Sequence, residues 1–179
     1  MTIRQDAVQL LKSDHKDVKG LFEAYQALCD RQASHVEKMA VAQEICLSLS
    51  VHAQIEEELF YPAVRKAIGE DALMDEALVE QAGAKDLIAQ ISTMKASDPL
   101  YDAKLTVLGV AIDHHVQEEH DEMFPKARNA TIDLMALGAR MQDRKEVLLA
   151  EYKNMLGRTD VENEAGDPVG RQMQAELPR

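Results

Sequence analysis

The sequence is most informative in what it lacks. Its 179 residues include no tryptophan, two cysteines, five prolines and eight glycines, and aromatic residues make up 4% of the chain. Runs of β-branched residues are also absent, which argues against a sheet. Alanine, leucine, methionine, glutamate, lysine and glutamine dominate, and all of them favour helices. The length suits one domain with a sizeable core, so we predict a single all-α domain.

Positive charge is scarce as well. The net charge of −12 argues against nucleic acid and anionic membrane surfaces as partners. The segment from Met1 to Leu11 lacks the apolar run of a signal peptide, and no segment approaches a membrane span. Cys29 and Cys46 both lie in helical patterns, where we expect free thiols. We therefore expect a cytoplasmic protein.

Apolar residues recur at alternating steps of three and four, which indicates amphipathic helices. The first of these runs roughly over residues 4–30. Ser34 begins the second, because Glu37 three positions later completes a capping-box pattern, and Gly69 ends it.

The third helix is predicted over residues 71–95. Asp98 before Pro99 predicts the start of the fourth, as a cap followed by proline at the first helical position. A fifth amphipathic stretch covers roughly residues 132–155. Pro62 in the second segment and Pro125 in the fourth should each kink or end the helix.

The first two helical segments resemble the next two, since residues 11–22 align with residues 78–88. Short connections make consecutive helices antiparallel neighbours. We predict an all-α fold: an antiparallel up-and-down four-helix bundle built from a duplicated αα-hairpin, with a fifth C-terminal helix outside it. The bundle domain is assigned to residues 1–156, and the polar residues 157–179 are expected to form a mobile tail. The fifth helix offers a surface on which a homodimer could form.

One motif occurs twice in the same register. His52 is followed four residues later by Glu56, and His115 by Glu119, and each copy runs on to an aromatic residue and proline. Residues four apart share one face of a helix, about 6 Å apart along the axis. Each copy therefore places an imidazole beside a carboxylate, which suits a transition metal.

These residues fall on the apolar stripes, together with His15 and Gln81 at matching positions of the other two helices. Burying facing carboxylates costs several kcal/mol, and a cation removes that cost. A single buried histidine is more often a structural residue, and an isolated His-x3-Glu pair is more often solvated. The repetition on apolar stripes favours a metal site, with iron, manganese or zinc as the ion. Since no Glu-x-x-His sequence occurs, a ferritin-type arrangement is not supported.

Other polar residues are weaker candidates for the metal site. His114 should point sideways or to solvent, His35 begins a helix, and His120 lies on a flank. The remaining glutamates of the motif are expected on a solvated face, or as hydrogen-bond partners of the ligating imidazoles. They are Glu57, Glu58, Glu118 and Glu122.

With these motifs, residues 6–128 resemble the hemerythrin-like (HHE cation-binding) family. The resemblance implies a helical bundle around a non-haem di-iron centre, with one iron near His15 and His52 and the other near His115. It also implies that Glu56 and Glu119 bridge the two irons. From the same resemblance we expect iron as the cofactor, with two ions per chain. A single iron ion, or manganese or zinc in its place, is the alternative.

The chain departs from that family pattern at its third helix. Where the family has histidine, this sequence has Gln81 in Glu80-Gln81-Ala-Gly-Ala-Lys85. An amide is a poorer iron ligand than imidazole. Gln81 could bind weakly through its oxygen, hold a water, or leave the second metal absent, and Glu80 could take its place. We expect an asymmetric centre that is more open near Gln81.

Of three possible functions, we favour an iron-binding protein of oxidative or nitrosative stress. The first is a module that binds or senses O2, peroxide or nitric oxide in oxidative or nitrosative stress. The second is an enzyme that decomposes hydrogen peroxide or oxidises a small reductant at the open iron. The third is metal holding in iron handling, without turnover. The expected partner is therefore a small diatomic ligand or peroxide.

Overall fold

The computed structural model describes residues 5–164, with side chains described as far as Asn154. Its helices are α1 (Ala7–Asp30), α2 (His35–Ile55), α3 (Tyr61–Ile68), α4 (Asp71–Ser92), α5 (Tyr101–Glu118), α6 (Phe124–Asn129) and α7 (Leu134–Glu164). One π-helical turn, Glu56–Phe60, joins α2 to α3, and another, Glu119–Met123, joins α5 to α6. The predicted all-α bundle with a fifth helix is confirmed. Within the described part of the chain, no helix combines the length and apolar character that a membrane crossing requires.

Local sequence explains several helix ends. Asp6 caps α1 and Ser34 caps α2, each in a capping box with the residue three positions later. Gly69 ends α3 in the left-handed conformation, at φ 72°, which glycine adopts without steric cost. Both π-turn segments continue into a helix whose second residue is proline, so the helical path runs past Pro62 and Pro125.

The predicted start of the fourth helix is wrong. The helix begins at Tyr101 and Asp98 does not cap it, because the Asp98 carboxylate accepts a hydrogen bond from the backbone N–H of Lys95. Leu100 instead precedes the helix in the left-handed conformation, at φ 71°. The aspartate therefore closes the preceding turn, which competes with a capping role.

Two apolar clusters lie at successive heights of the bundle. The cluster nearer the π turns contains Phe60, Phe124 and Met141, all essentially inaccessible to solvent. The other contains Ile45 and Leu108. Along each of the four bundle helices, the predicted metal-site residue lies between members of these two clusters. The polar centre is thus enclosed by apolar layers above and below.

Helix α7 lies against α1 and α2 and completes the first cluster. Met141 and Leu148 on its inner face are buried. At Gly138 a Cβ atom would lie 2.5 Å from the backbone oxygen of Gln5, so only glycine permits this close approach. The helix extends beyond the predicted end near residue 155, as far as Glu164, and residues 165–179 of the predicted tail lie outside the described residues.

Candidate metal centre

Each glutamate of the doubled motif is the first residue of a π turn. Glu56 opens the turn after α2, and Glu119 opens the turn after α5. A π turn adds a residue to the helical repeat. It occurs mostly as a single turn within an α-helix, frequently at a functional site. Here it changes the direction of the side chains that follow, so that residues of α3 and α6 also reach the interior.

The first half of the centre gathers two imidazoles and two carboxylates. The Nε2 atoms of His15 and His52 lie 3.1 Å apart. Glu56 Oε1 lies 3.2 Å from His52 Nε2, and Glu119 Oε2 lies 3.3 Å from His15 Nε2. One ligand atom from each of the four residues lies within 4.8 Å of the others. These distances are those between neighbouring donors of one metal ion.

Two of these donor atoms have no hydrogen-bond partner among the described residues. Glu56 is 0% exposed and Glu119 is 1% exposed, yet Glu56 Oε1 and Glu119 Oε2 are both unpartnered. A buried carboxylate oxygen without a partner is costly, because water is no longer available to solvate its charge. A cation between the two oxygens and the two imidazoles would remove this cost. The residues of the first half therefore fit a metal ion.

The second half is arranged around the hydroxyl of Tyr61. This oxygen lies 3.2 Å from Glu56 Oε2, 3.0 Å from Glu119 Oε1 and 3.2 Å from His115 Nε2. Each glutamate thus directs one oxygen to each half of the centre. A hydroxyl has one proton, so it can donate to one of these three atoms at a time. The second half is therefore also rich in acceptors.

Gln81 lies in this second half, where it is 5% exposed. Its amide group donates hydrogen bonds to Glu56 and, across 2.8 Å, to the hydroxyl of Tyr61. The amide oxygen, Oε1, is buried without a partner. The Gln81 amide thus donates a hydrogen bond to the Glu56 oxygen of the second half, whereas the Glu56 oxygen of the first half faces imidazoles alone, so Gln81 makes the two halves chemically different.

Each repeat supplies a carboxylate to the outer nitrogen of a site histidine. Asp14 precedes His15, and Glu80 precedes Gln81, at equivalent positions of the repeats. His115 Nδ1 lies 2.8 Å from Glu80 Oε2. The corresponding distance, from His52 Nδ1 to Asp14 Oδ2, is 3.6 Å. Such carboxylates fix the ring orientation of a ligating histidine and increase its basicity.

The Asp14 carboxylate is tied to α7. Lys145 donates a hydrogen bond to Asp14 Oδ1, and the pair is largely buried. Burial alone would raise the pKa of Asp14, but the neighbouring His52 and Lys145 lower it below its ordinary value. Asp14 is therefore held as a carboxylate beside His52, and the helix outside the four-helix bundle contributes to the centre.

The electrostatic environment shifts the pKa values of His15 and His52 in opposite directions. Burial lowers the pKa of His15. Burial also opposes protonation of His52, but the carboxylates of Glu56 and Asp14 raise its pKa to about 10. For Tyr61, burial and then the charges of Glu56 and Glu119 raise the pKa well above the ordinary value, so the hydroxyl keeps its proton. Without a metal, a proton on His52 partly offsets the buried negative charge.

A small cavity adjoins the centre. Its volume is about 20 Å³, and His52, Gln81 and His115 lie along one side. Its other walls are mainly apolar and include Leu49 and Ile112. One water-sized probe needs roughly 10–15 Å³, so this cavity has room for about one molecule of that size.

All six predicted site residues are buried around one centre: His15, His52, Glu56, Gln81, His115 and Glu119. The prediction that they ligate metal stays a prediction. His114 is exposed, as expected, and the four remaining motif glutamates do not contact the outer nitrogens of His52 or His115. Glu57 pairs with Lys85 and Glu58 with Arg144 instead.

Sequence reasoning missed several residues of the centre. Tyr61 stands where the second repeat has Phe124, and this difference within the repeat was the available signal. His120, assigned only to a flank, places its Nε2 atom 3.1 Å from His15 Nδ1. Asp14 was visible only as the neighbour of His15, and Lys145 carried no local signal at all.

Known proteins share much of this sequence and its fold. A DNA nickase of Nostoc sp. is 31% identical over 120 residues, which cover 67% of this chain and 33% of that protein, so the chain spans about a third of its length. An uncharacterized protein of Mycobacterium tuberculosis is 26% identical over 146 residues, covering 80% of this chain and 87% of the relative.

A solved structure of a hemerythrin HHE cation binding domain-containing protein from Mycobacterium kansasii matches with a TM-score of 0.72 and 25% identity. The match covers 85% of this chain and 92% of that one. The family described as hemerythrin HHE cation binding domain matches residues 6–127. The chain therefore belongs to the hemerythrin HHE cation-binding family.

Proposed function

We propose that this protein binds iron at the buried centre and there binds or reacts with O2, peroxide or nitric oxide. The observation that carries the proposal is the pair of unpartnered oxygens on Glu56 and Glu119, which face the Nε2 atoms of His15 and His52. Two buried carboxylates with two imidazoles form a donor set suited to a divalent or trivalent transition metal. Membership of a cation-binding family supports the same assignment.

The two halves of the centre are proposed to bind metal unequally. His15, His52, Glu56 and Glu119 would hold the first ion. His115 and the second oxygens of both glutamates would hold another ion more weakly, because the Tyr61 hydroxyl and Gln81 amide already bond to those oxygens. Manganese or zinc would suit the same nitrogen and oxygen donors, and iron is preferred for the redox chemistry that the proposal requires.

A bound iron would supply reversible one-electron chemistry and a coordination position for a small ligand. The protein's own residues define what reaches it. The cavity of about 20 Å³ beside His52, Gln81 and His115 admits a diatomic molecule or peroxide and excludes a larger organic substrate. Its apolar walls favour an uncharged ligand. Gln81, whose amide is a hydrogen-bond donor, is among the residues that line it.

The physiological role proposed is in oxidative or nitrosative stress or in iron handling, with peroxide decomposition as the enzymatic alternative. We do not propose DNA nicking for this chain, although one relative from Nostoc is a DNA nickase. The chain spans about a third of that protein. In addition, its net charge of −12 opposes contact with a phosphate backbone.

Metal content tests the first part of the proposal. We expect wild-type protein to contain iron by elemental analysis, and the Glu56→Gln/Glu119→Gln variant to lose it. The matched control is Glu23→Gln/Glu44→Gln, which removes the same charge from exposed positions. The proposal fails if the centre variant retains the metal of the wild type, or if folded wild-type protein supplied with iron, manganese and zinc binds none.

Reactivity tests the second part. Release of oxygen from hydrogen peroxide over many turnovers would support the enzyme. A reversible optical change on addition of O2 or nitric oxide, without turnover, would support the binding module. Iron-loaded protein that shows neither response would leave metal holding as its role and contradict the proposed reaction with these ligands.

A further inference from the structure

A second group of metal-ligating side chains lies at the surface. It consists of Glu80 on α4 with His114 and Glu118 on α5, and one donor atom from each lies within 4.8 Å of the others. His114 Nε2 lies 3.4 Å from Glu80 Oε1 and 3.3 Å from Glu118 Oε1. His114 and Glu118 repeat the His-x3-Glu spacing of the buried motif, one residue earlier on the same helix.

These separations suit a shared ion. Metal–ligand bonds of about 2.0–2.2 Å in a tetrahedral arrangement place neighbouring donors roughly 3.3–3.6 Å apart. Both measured distances are longer than the usual 2.7–3.2 Å of an N–H···O hydrogen bond. Three protein donors at the surface would leave a fourth position for water, as in an exchangeable site.

The group also carries uncompensated negative charge. Three other glutamates of the two motif segments are paired with cations: Glu57 with Lys85, Glu58 with Arg144, and Glu122 with Lys126. Among the described residues, Glu80 and Glu118 form ion pairs with histidines alone.

Glu80 links this group to the buried centre. Its Oε1 atom faces His114, and its Oε2 atom lies 2.8 Å from Nδ1 of His115. A cavity of about 10 Å³ adjoins both groups, because Glu80 and Glu118 as well as His115 and Glu119 are among its lining residues. A hydrated ion does not fit a space of this size, so an ion would have to shed water to a carboxylate before passing inward.

We propose that Glu80, His114 and Glu118 form a divalent transition-metal site at which ions are captured before they enter the buried centre. The site is separate from the four donors of the first half, and its role in loading rests on the proposed metal-binding function. Its carboxylates attract the cation, and its imidazole selects a transition metal over magnesium or calcium.

The test uses metal-free full-length protein and Co²⁺, whose visible absorption reports nitrogen and oxygen coordination. The variant His114→Gln/Glu118→Gln changes two exposed or half-exposed side chains and leaves Glu80 in contact with His115. The matched control is His35→Gln/Glu44→Gln, which makes the same chemical changes at exposed positions of α2. Circular dichroism checks that all proteins are folded.

We expect the surface variant to lose one weakly bound equivalent of Co²⁺ that the wild type and the control retain. Its buried centre should reach the same final occupancy about tenfold more slowly, because local attraction of the ion has been removed. The proposal is overturned if the variant binds as many equivalents as the control, or if it loads the centre at the same rate.

Failure of the proposed function would look different. It would show as unchanged Co²⁺ binding by Glu56→Gln/Glu119→Gln, whereas failure of the surface site shows as unchanged binding by His114→Gln/Glu118→Gln. Retention of the weak equivalent by the centre variant, together with its loss from the surface variant, supports two separate sites.

Discussion

Tyr61 and Glu119 are joined by a hydrogen bond of 3.0 Å that connects the two repeats at the middle of the bundle. The same hydroxyl lies 3.2 Å from Glu56, its counterpart in the first repeat. The equivalent of Tyr61 in the second repeat is Phe124, so one hydroxyl serves both carboxylates. This difference between the repeats, together with Gln81 in place of a histidine, makes the centre asymmetric.

Tyr61→Phe should therefore destabilise the metal-free protein. Two buried carboxylate oxygens lose their shared donor, at a cost of about 1–3 kcal/mol. Stabilisation by added Zn²⁺ should increase, because the ion no longer competes with the hydroxyl. Urea unfolding with and without Zn²⁺ measures both effects.

Tyr25→Phe is the matched control, since this hydroxyl donates to Asp102 far from the centre. The control should show no change in the response to Zn²⁺. Metal-free Tyr61→Phe protein as stable as the wild type would remove the hydroxyl from the account.

The buried ligand positions were predictable because each lies on an apolar stripe of regular helical period. Tyr61 was not, because residues five apart in an α-helix point in different directions. The π turn from Glu56 to Phe60 brings residues five apart into line, which places Tyr61 beside Glu56. Nothing in the local pattern marks such a turn.

Contacts between distant parts of the chain were equally hidden. Lys145 reads as one more charged residue of an amphipathic helix, and only the packing of α7 on α1 places it against Asp14. The start of the fourth helix was misassigned for a related reason. The side chain of Asp98 had two backbone partners available, and it bonds to the preceding turn.

Gln81→His should strengthen binding of the second ion. The substitution replaces an amide that donates a hydrogen bond to Glu56 with an imidazole that can bind metal. We expect the second equivalent of Co²⁺ to bind about 10–100-fold more tightly, the range that supporting contacts contribute to metal affinity. Equilibrium titration followed by absorption measures the change.

Gln43→His, at an exposed position of α2, controls for the added imidazole. An unchanged second affinity in Gln81→His would show that the amide does not determine the asymmetry.

Acid should weaken the contact between α7 and the first π turn. The guanidinium of Arg144 and the amide of Gln54 lower the pKa of Glu58 from 4.5 to about 2. Because the folded-state pKa is the lower one, the ionised carboxylate stabilises the fold above pH 4.5, and this contribution is lost as the pH falls toward 2. The pair is partly exposed, so its contribution is about 0.5–1 kcal/mol at most.

Glu58→Gln should accordingly lower the free energy of unfolding near neutral pH and have little effect near the lower limit of this range. Urea unfolding at both pH values, with Glu23→Gln as the exposed control, measures the difference. An equal loss at both pH values would show that the side chain acts through packing and not through its charge.

Lys145→Met should damage the centre from a helix that supplies no metal donor to it. Removing the lysine leaves the Asp14 carboxylate buried with His52 as its remaining charged neighbour. Loss of one partner of a buried ion pair costs about 3–5 kcal/mol, and the partial exposure of Lys145 should reduce this to roughly 1–3 kcal/mol. Affinity for the first ion should also fall, because the Asp14 carboxylate, 3.6 Å from the outer nitrogen of His52, would shift when its ion pair with Lys145 is lost. Lys153→Met, at an exposed position of the same helix, should leave both quantities unchanged. If Lys145→Met lowers stability and leaves Co²⁺ affinity at the wild-type value, α7 supports the fold and does not orient His52.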